Sequence, residues 1–422
     1  MLLRAPKGTR DILPGDIHRW HYMESVVRDI CRVFGYHEIR TPVFEHTELF
    51  SRGVGETTDV VQKEMYTFQD KADRSLTLRP EGTAGVVRAF IENGMTSSAL
   101  PQKMYYYGPM FRYENVQHGR YREFWQFGCE VLGAEAPGAD VEIISLLKMY
   151  FERLGLTKTD LRINSIGCQA CRPAYHELLH GYLAARLDRL CPDCRDRFER
   201  NPLRVLDCKQ ERCAAEIAGA PKTIDHICDS CASHFEGLKA GLSELGIDYT
   251  IDKSIVRGLD YYTRTVFEYV SDSFKSLGST ICGGGRYDGL VEVCGGARTS
   301  GVGFSIGIER LFIELDNYNA EFPRPGVPDV FIITAGEAAR SYAGQLANRL
   351  RRAGIAAETD LNSRSVKAQM KYADKRGAAF TAVIGDDELA AGKAVLRNMA
   401  DGSTAEVPLD GFAEWLKNAK KI

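Results

Sequence analysis

The stretch that most constrains this chain is Met104–Gly133, MYYYGPMFRYENVQHGRYREFWQFGCEVLG. Two aromatic, extended arms flank a polar and cationic middle from Asn115 to Arg122, a pattern that predicts a long β-hairpin. Side chains alternate along a strand, so Gln126, Gly128 and Glu130 share one face while Trp125, Phe127, Cys129 and Val131 share the other. Folding the arms back about His118 brings Arg112 and Glu114 to the face of Gln126 and Glu130. One face therefore packs. The other is a floor of mixed charge, able to hold a zwitterion, or an oxyanion beside an ammonium.

At 422 residues the chain exceeds one ordinary domain. Its net charge of -3 does not by itself point to nucleic acid. The start, MLLRAPKGTRDILP, has no apolar signal core, and no apolar run approaches membrane-spanning length, so a cytoplasmic protein is expected. In that compartment 12 cysteines are read as metal ligands or chance rather than as a disulfide framework.

Apolar residues at helical spacing from Asp16 to Gly35 predict a helix, followed by a short extended run, Tyr36–Phe44, whose Pro42 assigns it to a sheet edge. Phe50–Asp59 reads as a glycine-punctuated loop. In LTLRPEGTAGVVRAF, Pro80 and Glu81 precede a helical pattern, with Thr83 placed to cap it. Asp140–Leu154 predicts a second amphipathic helix and Leu161–Ser165 a strand. Cys168–Leu245 is charged, helical and proline-broken, and reads as an inserted domain. Its cysteines stand as Cys168-x2-Cys171, Cys191-x2-Cys194, Cys208-x4-Cys213 and Cys228-x2-Cys231. Thiolate pairs at this spacing can chelate one structural zinc per two pairs, which would staple an insertion with little core of its own. The spacing leaves open which pairs would share an ion.

Arg257–Tyr269, RGLDYYTRTVFEY, reads as a strand with an aromatic entrance, and STICGGGRYDGL (Ser279–Leu290) places three glycines at a strand end. Gly301–Leu311 alternates small residues at 301, 303, 305 and 307, leaving a face on which a flat group could lie. Arg310 stands where a helix begins, against the helix dipole. After a Pro-bearing linker, Glu321–Pro328, strands and helices alternate from Val330, which predicts an α/β domain with a mixed sheet.

The run FRYE, with QHGRYREFWQFGCEVLG after it, resembles motif 2 of class II aminoacyl-tRNA synthetases and, in its details, the histidyl-tRNA synthetase family. RGLDYY is similar to that family's histidine-specific signature, and GGGRYDGL to a second specific stretch. The segment 16–44 resembles motif 1, Gly301–Leu311 motif 3, and the C-terminal pattern the anticodon-binding domain, so the resemblance covers essentially the whole chain. It departs at the hairpin tip, where Asn115, Val116 and His118 replace the arginine, proline and usual lysine of the family, at Trp125, where histidine is frequent, and in the cysteine-rich insertion.

The resemblance implies an α+β catalytic core with a mainly antiparallel sheet, residues 1–167 and 250–322, a helical insertion, 168–249, and a C-terminal anticodon-binding domain, 328–422. It implies ATP-dependent attachment of L-histidine to tRNA(His) through a histidyl-adenylate. Glu81, Thr83 and Gln126 would hold the substrate ammonium. Glu130 and Tyr262 would read the imidazole, with Tyr261 beside them. Arg257 would reach the carboxylate and α-phosphate, and Arg112, Glu114 and Arg310 would bind ATP with Mg2+, Arg257 and Arg112 being the catalytic pair. Gln117, Arg120 and Arg122 would meet the tRNA acceptor end, and motif 1 would form a homodimer. The main rival is a synthetase-like regulatory subunit of ATP phosphoribosyltransferase, which typically lacks the C-terminal domain.

Overall fold

Strands Gln102–Phe111 and Glu123–Leu132 pair antiparallel as the hairpin. Phe111 faces Glu123, which centres the turn on Gln117 rather than His118. That shift moves each partner by two residues, so the expected sharing of faces survives. The computed structural model describes residues 3–56, 58–208, 210–256, 258–271, 280–323 and 325–419. These form two units, Met1–Pro323 and Arg324–Ile422.

In the first unit, strand Gly301–Gly307 pairs with the far side of Glu123–Leu132, followed by Thr280–Arg286, Thr263–Val270 and Asp160–Ser165, every pairing antiparallel. The short strands His37–Glu38 and Thr250–Ile251 close the two edges in parallel pairings. The sheet is mainly antiparallel, as expected. Strands from 263 to 307 lie between elements made far earlier in the chain.

One face of this sheet carries Phe127, Cys129, Val131, Phe304 and Ile306 into the core. Helix Ile17–Val33 covers it with Met23, Val27 and Ile30, helix Gly138–Arg153 with Ile143, Leu147 and Phe151. Each such fully buried side chain contributes roughly 1.5–3 kcal/mol relative to exposure. Helix Asp229–Glu244 adds Phe235, Leu238 and Leu242 to the same core. The C-terminal end of the expected insertion is thus part of the main body, and a smaller core of Tyr175, Leu179, Leu183, Phe198 and Val205 holds the segment before it.

Several local expectations change. Tyr36–Phe44 is not one strand: His37–Glu38 joins the large sheet, while Phe44–His46 joins a three-stranded sheet with Ser75–Leu78 and Tyr66–Gln69. Pro42 lies between them, where no ladder needs its missing N–H. The first half of the expected loop at 50–59 belongs to helix Thr47–Val54, because Phe50 and Val54 bury beside Ala84. Gly283–Gly285 sit inside a strand with partners on both sides rather than at its end. A Cβ on Gly284 would collide with the Phe267 ring and with Phe304. The strand expected from Tyr262 is broken at Arg264, which has φ 51° and marks a bulge between Thr263 and Val266.

The second unit has a mixed five-stranded sheet in the order Ala357–Thr359, Val330–Thr334, Phe380–Ile384, Lys393–Asn398, Thr404–Pro408. The first three strands are parallel and the last two antiparallel. Helices Glu337–Arg352, Val366–Lys375 and Phe412–Ala419 pack on it. Helix Asp386–Ala391 and strand Thr404–Pro408 were not anticipated.

Candidate active site

The other face of the large sheet is the floor of a cavity of about 670 Å³. Its walls include Glu81, Arg112, Glu114, Arg120, Gln126, Tyr261, Tyr262 and Arg310, with Ser305 and Gly307 on the floor. Eight residues expected from separate stretches thus share one space. Arg257 lies outside the described residues.

Glu81 reaches the cavity from a helix start. Its carboxylate accepts the Thr83 and Ala84 N–H groups, both at 2.8 Å, and so caps helix Thr83–Glu92. The cap expected from Thr83 is therefore made by Glu81. Burial pushes the Glu81 carboxyl up, and these N–H bonds oppose the shift.

Thr83 and Glu130 do not line the cavity wall; they lie buried beneath it. Thr83 Oγ1 donates to Glu130 Oε1 at 2.7 Å, and the Tyr287 hydroxyl donates to Oε2. Burial first of all raises the Glu130 carboxyl to about 8, against those two donors. Sequence reasoning missed Tyr287, although it stands in the quoted GGGRYDGL. Its role depends on a strand crossing that no spacing reveals. The small residues at 301 and 303 make room for Tyr287 and for Glu130 rather than for a ligand alone.

Gln126 is buried on the cavity wall, and its Oε1 accepts no hydrogen bond from the described residues. Arg112 is held by Nε donating to the Pro80 carbonyl at 2.8 Å, stacks over Phe124 and stands 3.7 Å from Glu114. Arg120 approaches the same Glu114 at 3.8 Å. Arg310, in the first turn of helix Ile308–Asn317, is mostly buried, and burial pulls its pKa down. Glu309 beside it accepts the Trp125 N–H at 3.0 Å and is raised to about 7 by burial. Glu64 and Glu309 also line the cavity, and neither was anticipated.

At the hairpin tip, Gln117 and Arg120 pair through their backbones. Arg122 does not line the cavity: it stacks 3.7 Å over Tyr113, and its N–H bonds the Gly8 carbonyl.

The insertion supplies the opposite wall through Asp193, Arg197, Arg204 and Cys208. Its cysteines gather into two sets, Cys168, Cys171, Cys228 and Cys231, and Cys191, Cys194, Cys208 and Cys213, with all sulfurs of a set within 4.8 Å of one another.

Known proteins resemble this chain over nearly its whole length. The family described as Histidyl-tRNA synthetase matches residues 8–170 and 200–311, and that described as Anticodon binding domain matches 329–419. A histidine-tRNA ligase from Acetivibrio thermocellus is 58% identical over 417 residues, spanning 99% of this chain and 100% of that protein. One from Caldanaerobacter subterraneus is 51% identical, with the same coverage. The crystal structure of apo S. aureus histidyl-tRNA synthetase superposes with a TM-score of 0.85 at 42% identity, covering 99% of this chain and 100% of that one. The fold is that of a class II aminoacyl-tRNA synthetase. Within that class, the chain belongs to the histidyl-tRNA synthetase family.

Proposed function

We propose that the chain joins L-histidine to tRNA(His) in two steps at this cavity, first forming histidyl-adenylate from ATP and then passing the histidyl group to a terminal ribose hydroxyl of the tRNA. The observation that carries the reading is the cavity's division of charge: Arg112 and Arg310 with Glu81, and a buried Gln126 oxygen without a donor among the described residues. An orphaned buried acceptor costs about 1–3 kcal/mol, which a substrate ammonium would offset.

In the first step the histidine carboxylate attacks the α-phosphorus, its P–O bond forms, and the bond to pyrophosphate breaks. The carboxylate is already ionised near neutral pH, so catalysis rests on alignment and on neutralising charge at phosphorus. Arg112 and Arg310 supply fixed cations on the phosphate side, and Arg257 is assigned the carboxylate and α-phosphate. Gln126 and Glu81 take the ammonium. Tyr262 and Tyr261 face the imidazole, and Glu130 acts on its selection from beneath the cavity, held by Thr83 at 2.7 Å and by Tyr287.

Mg2+ fits the donors present. Glu64 and Glu114 are neighbouring carboxyls on the same cavity, oxygen donors of the kind Mg2+ takes. Glu64 and Glu114 would hold Mg2+ together with phosphate oxygens, and it would neutralise the leaving pyrophosphate.

The tRNA acceptor end is assigned to Gln117 and Arg120 at the tip and the anticodon to residues 328–422, with 1–167 and 250–322 as the catalytic core and 168–249 as its insertion. Arg122, tied to Tyr113, supports the tip. The active form is read as a homodimer formed through the 36–44 segment. Among the described residues no helix is long and apolar enough to cross a membrane. Together with its tRNA partner, this supports action in the cytoplasm. A structural zinc in the insertion completes the reading. The regulatory-subunit alternative is not favoured, since the C-terminal unit is present and the full-length relatives are ligases.

Histidine-dependent ATP–pyrophosphate exchange without tRNA tests the proposal, with threonine and proline as controls. Exchange with histidine alone is expected, and folded protein that shows none would overturn it.

A further inference from the structure

The eight insertion cysteines form two nested quartets, not one cluster. Cys168 and Cys171 open the insertion and meet Cys228 and Cys231 near its end; the second quartet lies wholly between them. In the outer set, sulfur separations are 3.7 Å for Cys168–Cys171, 3.9 Å for Cys168–Cys228 and 3.8 Å for Cys171–Cys231. In the inner set Cys191 and Cys208 stand 3.9 Å apart. Four thiolates about 2.3 Å from a tetrahedral ion are about 3.8 Å from each other. A disulfide would need about 2.05 Å, and all these cysteines are free.

The surroundings favour thiolates. Cys228 N–H points at Cys171 Sγ at 3.1 Å, and Cys191 N–H at Cys213 Sγ at 3.2 Å. Such bonds stabilise metal-bound sulfur. Arg195 and Arg212 both donate to the Leu190 carbonyl, beside Cys191, where they offset the negative charge of a four-thiolate site.

Each quartet also fixes an arginine on the loop before strand Thr263–Val270. Arg172, next to Cys171, donates to the Tyr262 carbonyl. Arg204, four residues before Cys208, donates to the Gly258 carbonyl at 2.6 Å and pairs with Asp59 at 3.1 Å. Both carbonyls belong to the RGLDYY stretch.

We infer that the insertion binds two zinc ions, one per quartet, and that the inner ion, held by Cys191, Cys194, Cys208 and Cys213, sets Arg204 as a positioning residue clamping the histidine loop at Gly258. The second half of this inference rests on the proposed role of that loop; the first does not.

The test is metal content of the intact protein after passage through metal-free buffer. About two zinc ions per chain are expected, and Cys191→Ser/Cys194→Ser or Cys168→Ser/Cys171→Ser should each leave about one. One ion or none in the parent protein, or iron in place of zinc, would overturn the inference. Cobalt exchanged into each single-site variant should give tetrahedral-thiolate absorption, independently of activity. Arg204→Met should keep both ions while raising the histidine KM about tenfold with kcat little changed, and Arg204→Lys should recover part of it. An unchanged KM would remove the positioning role. Two zinc ions with no histidine-dependent exchange in the parent protein would sink the functional reading and leave the metal sites standing.

Discussion

The carboxylate of Glu130 occupies the space that a Cβ on Gly303 would need. The two residues face each other across paired strands, so the glycine is a seat for the acid. Gly303→Ala should therefore push Glu130 off Thr83 and Tyr287. We expect a loss of about 1–3 kcal/mol in urea unfolding, with a larger fall in histidine-dependent exchange than in folded fraction. Full exchange activity would mean Glu130 has no role in selecting the substrate.

Glu130, raised from 4.5 to about 8, binds a proton in the folded state that the unfolded chain releases earlier. Its contribution is thus complete below pH 4.5 and is lost as pH rises through about 8. Glu309, raised to about 7, acts with the same sign. The ligand-free protein should lose thermal stability across this window, and Glu130→Gln should flatten the upper part. A midpoint unchanged between parent and variant at every pH would contradict the assignment.

Arg112 and Arg310 enter the cavity from different elements. Arg112→Met or Arg310→Met should lower the exchange rate on the order of 100- to 1000-fold, as for loss of one charge-stabilising donor. Circular dichroism should remain that of the parent protein.

Arg286 is fully buried and donates to Asp140 and Asp288, both at 3.0 Å, and to the Ala134 carbonyl at 2.6 Å. Removing one partner leaves a buried charge unpaired. Arg286→Met should cost about 3–5 kcal/mol by urea titration, and Arg286→Met/Asp140→Asn should cost less than the two single losses added.

Phe44 and Phe68 are exposed, with rings 6.4 Å apart on the three-stranded sheet, and Val43 is exposed beside them. If this patch is the dimer contact, Phe44→Asp should move the mass seen by light scattering from two chains to one. A dimer that persists would place the contact elsewhere.

The hairpin was legible because strand alternation is a local, period-two signal; Gln126 and Glu130 could be put on one face without knowing any other strand. The strand read over Arg257–Tyr269 was legible only in part: it begins at Thr263, and a bulge at Arg264 interrupts its register without a glycine to announce it. Thr83 was given the cap because hydroxyl residues prefer that role, yet Glu81 at the adjoining turn accepts both N–H groups. Tyr287 and Glu309 act through strand crossings, and the pairing of cysteine quartets depends on helices that return to the same place. None of these leaves a mark in spacing.

The strands Thr263–Val270, Thr280–Arg286 and Gly301–Gly307 fill the gap between Glu123–Leu132 and Asp160–Ser165. On the ribosome, the early hairpin must wait with an open ladder edge until residue 307 has been made, and the 160–165 strand until residue 270. Such edges invite pairing with other chains. A prematurely terminated product would carry this hazard and no floor for the cavity, so the cell gains nothing from a partial copy and has reason to shield the nascent one.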